Sequence, residues 1–151
     1  MSESATEVPA AELIQQEAFL YEIRFDPSLP ALQSDEHPPL GGGKGPSPLQ
    51  LLAAATGNCL SDSLYFALRK FKQDPSPIHT RVYPTVGRNP AGRLRVLGMR
   101  VEIAIGVPGA GLQHLDRALA QFEDFCTVAS SISPSVPIDI RITDSAGTRL
   151  R

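Results

Sequence analysis

The segment that most constrains this chain is Gly41–Lys72, where a glycine-rich loop, GGGKGPSP, gives way to the apolar run LQLLAAATGNCLSDSLYFALRK. Ser47 is a good helix cap and Pro48 suits the first helical position, where no amide hydrogen is needed. The spacing predicts a helix from Pro48 to about Phe71. Its first half is apolar on almost every side, the pattern of a helix buried on more than one face. Its second half turns amphipathic, and Arg69, Lys70 and Lys72 complement the negative end of the helix dipole. Gln73–Pro77 stops it. Such a helix must be covered, and the rest of the chain supplies mostly strands.

Phe19, Tyr21, Ile23 and Phe25 alternate with Leu20, Glu22 and Arg24, predicting a half-buried strand with Arg24 on its polar face. Pro27, Pro30, Pro38 and Pro39 exclude helix from the next stretch and leave room for a short edge strand near Ala31–Gln33. Ile78–Val86 and Leu94–Val107, joined by a turn at Arg88–Gly92, read as a hairpin with a bulge at Gly98. Leu112, Leu115, Leu119, Phe122 and Cys126 recur at intervals of three and four, predicting one amphipathic helix with the thiol on its apolar side. Ser130–Pro137 reads as a turn-rich connection, and Ile138, Ile140 and Ile142 as a closing strand. The expected class is α+β, an antiparallel sheet curled around the Pro48–Phe71 helix. Residues 1–17 are expected to form a flexible tail, with a helical turn at Ala10–Gln16, and 18–151 a single domain. A chain of 151 residues buries roughly 68–70% of its unfolded surface, enough for one core without staples.

A net charge of −2 with 20% charged residues gives no reason to expect a nucleic acid or a membrane surface as partner. The polar N-terminus lacks the basic and apolar regions of a secretory signal, and no apolar run approaches the ~20 residues of a membrane span, so a cytoplasmic location is expected. GGGKGPS is not a phosphate loop, because Gly45 follows the lysine where Ser or Thr is required. A generic anion site at the start of the helix, built from loop amides and Lys44, is a weaker possibility. His37, His79 and His114 are dispersed without the spacing of a metal site. Ser61 and Ser63 lack a nucleophile elbow. The hairpin arginines read as the solvated face of a strand pair.

Two cysteines remain. On an ideal helix Leu52, Thr56, Cys59, Ser63 and Phe66 share one stripe. Cys59 is therefore either a packed core thiol or a reactive one, and the second reading requires a cation or oriented donors to lower its pKa. Arg24 is the only arginine before the helix and Lys44 the only lysine, while Arg81, Arg88, Arg93, Arg95 and Arg100 are alternatives downstream. Cys126 alone reads as core. A pair of cysteines in a reducing compartment shifts the balance toward peroxide or disulfide chemistry, because a second thiol traps a sulfenic acid as a disulfide.

The string DEHPPLGGGKGPSPLQLLAAATGNCL resembles the OsmC/Ohr superfamily, the osmotically inducible protein C and organic hydroperoxide resistance proteins, in its acidic-Pro-Gly-Gly lead-in, Gly-Pro-x-Pro helix start and alanine-rich approach to a cysteine. FCTVASSISPSVPIDIRI resembles that family's second cysteine segment and closing strand. The resemblance implies an antiparallel sheet wrapped around a long central helix, in an intertwined homodimer with active sites at the subunit interface. It implies a cofactor-free, thiol-dependent peroxidase acting on organic hydroperoxides. Cys59 would be the peroxidatic thiolate and Cys126 the resolving thiol, joined in a transient disulfide that an external dithiol reduces. Arg24 matches the arginine that holds the thiolate. Gln50, nine residues before the cysteine, stands where the family has a glutamate to hold that arginine, with Leu49 as the neighbouring alternative, and Thr127 stands where the peroxidases have proline. Nine helical residues span about 13.5 Å and 2.5 turns, so Gln50 and Cys59 face opposite sides of the helix, and any contact is relayed or crosses the dimer. These departures support a second reading, an OsmC-like small-molecule binding protein with an apolar dimer-interface pocket.

Overall fold

The computed structural model describes residues 9–151. These divide into two compact units, with the boundary at Leu51/Leu52. The first unit carries a three-stranded antiparallel sheet in the order β1(Glu12–Glu17), β2(Leu20–Arg24), β3(Leu32–Ser34). Glu12–Glu17 is thus a strand, not the end of a tail with a helical turn. Its pairing with β2 across a tight turn, Leu13 opposite Ile23 and Gln15 opposite Tyr21, supplies cross-strand partners that outweigh local helix propensity. Residues 1–8 of the expected tail lie outside the described residues. Within β2, Leu20 and Ile23 are buried while Phe19 and Phe25 are exposed, a departure from strict alternation. Phe19 lies in the β1–β2 turn, next to Ala18 at φ 48°, so it does not follow the strand's alternation of faces.

Beyond β3 the glycine loop closes on Asp35. Its buried carboxylate accepts from the amides of Glu36 at 2.8 Å, Gly42 at 3.2 Å and Lys44 at 3.1 Å. The loop amides considered for an external anion therefore serve this internal one. Gly41 and Gly45 are required by space, since a Cβ at either would stand 2.3 Å from the Glu36 carbonyl oxygen or 2.2 Å from that of Gln33.

Helix α1(Pro48–Lys70) begins here and continues into the second unit. Its start is a reciprocal cap, in which the Ser47 amide donates to Gln50 Oε1 at 3.0 Å and the Gln50 amide to Ser47 Oγ at 3.2 Å. Its end is a Schellman turn with Lys72 at φ 60°, the Gln73 amide reaching the Leu68 carbonyl at 3.0 Å.

In the second unit Leu60, Leu64 and Leu68, one turn apart on α1, are fully buried, each worth about 1.5–3 kcal/mol of burial. They pack in one cluster with Val101, Ile103 and Ile105, with Ile140 and Ile142, and with Phe122, Cys126 and Ala129. The sheet runs β4(His79–Arg88), β5(Leu94–Ala104), β6(Ile138–Thr143). β4 and β5 form the expected hairpin, and the register skips Leu97 beside Gly98, which is the bulge. Pro84 sits on β4, an edge strand that tolerates a missing donor. β6 pairs parallel to β5, with Val101 opposite Ile140, so this sheet is mixed. The helical crossover between the two strands permits a parallel return that no short turn could make.

That crossover departs from the single expected helix. It comprises α2(Leu115–Gln121), a tight turn at Phe122–Phe125, and α3(Thr127–Ile132), which replaces the expected connection after Ser130. Cys126 lies between them in extended conformation, φ −89° and ψ 99°, and is still buried. The i, i+3, i+4 pattern is satisfied by helical turns that break and restart, because Ala118, Phe122 and Cys126 face one core either way. The carboxylate of Asp144 ties the following turn by accepting from the amides of Gly109, Ala146 and Thr148 at 2.9–3.0 Å.

Gly57 marks the closest approach of α1 to the sheet, since a Cβ there would lie 2.6 Å from Val82 Cγ2. Gly57→Ala is expected to destabilise the protein by about 1–3 kcal/mol through overpacking, although alanine is intrinsically the better helix former. The measurement is a urea unfolding midpoint, and a stabilised variant would contradict the packing.

Candidate active site

The structure brings together the two cysteines that the sequence places on separate segments. Both are reduced; Cys59 is half-buried on α1 and Cys126 is buried. Each thiol shifts the pKa of the other. Cys126 is the N-cap of α3, its Sγ accepting from the Ala129 amide at 3.3 Å. Ser63, one turn beyond Cys59 and buried, donates its hydroxyl to the Cys59 carbonyl at 2.8 Å and also touches the Cys126 sulfur.

The pair is electrostatically unequal. Partial burial pushes the Cys59 thiol up, but the Cys126 thiol and the amides of Val128, Ala129 and Thr127 together outweigh it and hold Cys59 below the ordinary cysteine value. Burial pushes Cys126 up, and so does its role as donor to Cys59; the Ala129 amide and Ser63 offset this only in part. Of the two, Cys59 is the thiol that gives up its proton first. Thiolates are the nucleophilic form of cysteine.

Thr127 gains a meaning that sequence comparison alone did not supply. It opens α3, and its amide is one of the groups that lower the Cys59 pKa. Proline, the residue expected there from the family pattern, has no amide hydrogen to give. Thr127→Pro removes that donor while respecting the backbone, since proline suits the first helical position and Cys126 already has the extended conformation preferred before proline. The Cys59 pKa is expected to rise, so the pH midpoint of thiolate absorbance shifts upward. An unchanged midpoint would remove Thr127 from the site.

Arg24 and Gln50 belong to the first unit. Arg24 is exposed on β2, in an ion pair with Glu22 at 3.2 Å. Gln50 is exposed, and its side chain is committed to the Ser47 cap. That cap was legible as Ser-x-x-Gln, the capping-box signature. Ser63 and the α3 amides carried no such signal, because their role depends on which segments meet. On the outer side, Phe66 and Phe125 stack edge to face at 5.2 Å, with Lys70 Nζ 4.9 Å from the Phe125 ring centre. Phe66 is seven residues after Cys59, hence on the same helical stripe, and Phe125 precedes Cys126. No helix among the described residues is long and apolar enough to cross a membrane.

The fold recurs in solved structures. An OsmC-like protein of Vibrio cholerae superposes with a TM-score of 0.73 at 16% identity, covering 94% of this chain and 99% of its own. An OsmC-like protein from Mycoplasma pneumoniae gives 0.72 at 15% identity, covering 93% and 99%. The organic hydroperoxide resistance protein OhrB of Bacillus subtilis gives 0.65 at 14% identity, covering 88% and 97%. Comparison with curated protein sequences yields no match. The sequence model described as OsmC-like protein matches residues 41–141, which include the glycine loop, all of α1 and both thiols, and the chain therefore belongs to the OsmC-like family.

Proposed function

We propose that this protein is a thiol-dependent peroxidase that reduces organic hydroperoxides, with Cys59 as the attacking thiolate and Cys126 as the resolving thiol. The observation that carries the reading is the unequal pair of interacting thiols, Cys59 held down and Cys126 pushed up. The Cys59 thiolate attacks the distal peroxide oxygen, the O–O bond breaks, and the alkoxide leaves and takes a proton to become the alcohol. Cys59 is then a sulfenic acid. The Cys126 sulfur displaces its hydroxyl, which departs as water with the Cys126 proton, and a Cys59–Cys126 disulfide remains. Two electrons and two protons from an external dithiol restore both thiols. The exposed Phe66–Phe125 pair offers an apolar surface to the organic part of the substrate.

The protein acts as an intertwined homodimer in this reading, and exposed apolar residues such as Leu13, Leu29 and Leu94 are available to be covered by a second copy. Arg24 is the guanidinium assigned to the thiolate. Glu22, already bound to it, takes the orienting role that uncharged Gln50 cannot fill.

The deciding experiment counts free thiols on the unfolded protein before and after one equivalent of cumene hydroperoxide. Loss of both thiols per chain, with alcohol produced, supports peroxidase chemistry. Retention of both, together with an ordinary Cys59 pKa, would favour the small-molecule binding protein instead.

A further inference from the structure

The outer face of the β4–β5–β6 sheet carries a second concavity, of about 300 Å³, made entirely within the second unit. Val82, Val101, Ile103, Ile140 and Ile142 point inward, so the alternate residues line the outer face. Register sets Arg81 beside Glu102 and Glu102 beside Arg141 in one row, and His79, Ala104 and Thr143 in the next. Arg149 joins the second row through its bridge to Thr143. The small Ala104 side chain leaves the floor between the rows open.

Charge on this face is lopsided. Glu102 is taken by Arg100 at 3.0 Å, and Asp139 by Arg141 at 3.0 Å. Arg81 has no carboxylate partner among the described residues, and Arg149 donates only to the Arg151 carbonyl, at 3.1 Å. Three arginines and an exposed histidine thus border one groove in a chain whose net charge is −2. Arginine forks match phosphate oxygens in paired hydrogen bonds, and the volume is that of a small ligand. A nucleic acid fits less well, because Tyr83 on the same face is covered by the Arg100 guanidinium at 4.3 Å and is not free to stack on a base.

We propose that this groove is a second binding site, separate from the thiols on the core side of the sheet, for a small molecule carrying a diphosphate group. Arg81 and Arg149 supply the unpaired cations, Arg141 a third, and Thr143 a hydroxyl donor.

The test is titration of the reduced full-length protein with pyrophosphate at low ionic strength, followed by calorimetry and by amide chemical shifts. Saturable binding is expected, with shifts concentrated at Arg81, Ala104 and Thr143 and an affinity that falls with added salt. The double variant Arg81→Ala/Arg149→Ala should bind at least about tenfold more weakly, a change of ~1.4 kcal/mol, with an unchanged melting temperature. Arg88→Ala/Arg93→Ala, which removes two arginines at the hairpin tip, should stay within about twofold of wild type, as a general charge effect would not. Absence of shifts at millimolar pyrophosphate overturns the site, as does equal weakening in the hairpin-tip variant. Displacement of pyrophosphate by a lower concentration of an oligonucleotide would also overturn it, in favour of a nucleic-acid surface.

Discussion

Replacing Cys59 by serine is expected to abolish organic hydroperoxide turnover, by three orders of magnitude or more, with no change in fold. The hydroxyl keeps nearly the size of the thiol but has a pKa far too high for the α3 amides to create a nucleophilic anion at neutral pH. Cys126→Ser should behave differently. That variant retains Cys59 and the amides of Thr127, Val128 and Ala129, so it should consume one equivalent of hydroperoxide and then stop at the sulfenic acid, which a dimedone-type reagent would trap. The contrast separates attack from resolution. A Cys59→Ser protein as active as wild type would remove this thiol from the chemistry altogether, and continued turnover by Cys126→Ser with the same dithiol would show that resolution occurs elsewhere. Because Cys59 is held below the ordinary value of ~8.5, the first step should persist as pH falls below that value and fail only when Cys59 itself is protonated.

Phe122→Ala is expected to cost about 3–5 kcal/mol of stability, a large share of the roughly 5–15 kcal/mol available to a domain. Phe122 has no exposed surface and is among the largest fully buried side chains. It opens the tight turn that ends at Cys126 and shares a core cluster with Leu60 and Leu64 of α1. Its loss leaves a cavity beneath the segment that presents the resolving thiol. Urea denaturation should show a much lower midpoint, and the Cys59 pKa should drift back toward its ordinary value as the α3 amides lose their anchorage. Arg93→Ala, at the exposed hairpin tip, should change stability by no more than about 0.5 kcal/mol. If Phe122→Ala were equally mild, the turn would not be hung on this core.

Sequence by itself determined the features that depend on near neighbours. Ser47-Pro48 opens α1, Gly98 marks the bulge, and the hairpin turns where Arg88–Gly92 demanded it. Each follows from steric or hydrogen-bonding preferences that act over a few residues. The Ser47–Gln50 cap is equally local, and it commits the Gln50 side chain to the helix end.

Tertiary structure decided what depends on distant partners. Whether residues 115–132 make one helix or several pieces is invisible to periodicity, because broken and continuous turns place Ala118, Phe122 and Cys126 on the same core. Glu12–Glu17 becomes a strand by pairing across a tight turn with its neighbour β2, whereas the parallel return of β6 is made with a strand far back along the chain. The meeting of Cys59 with Cys126 is of this kind. Neither thiol carries a local mark of reactivity, and the donors that make them unequal are backbone amides of α3, which any residue but proline can supply. Packing therefore lowers the Cys59 pKa, while the sequence supplies the two sulfurs and the threonine that leaves one more amide free to donate.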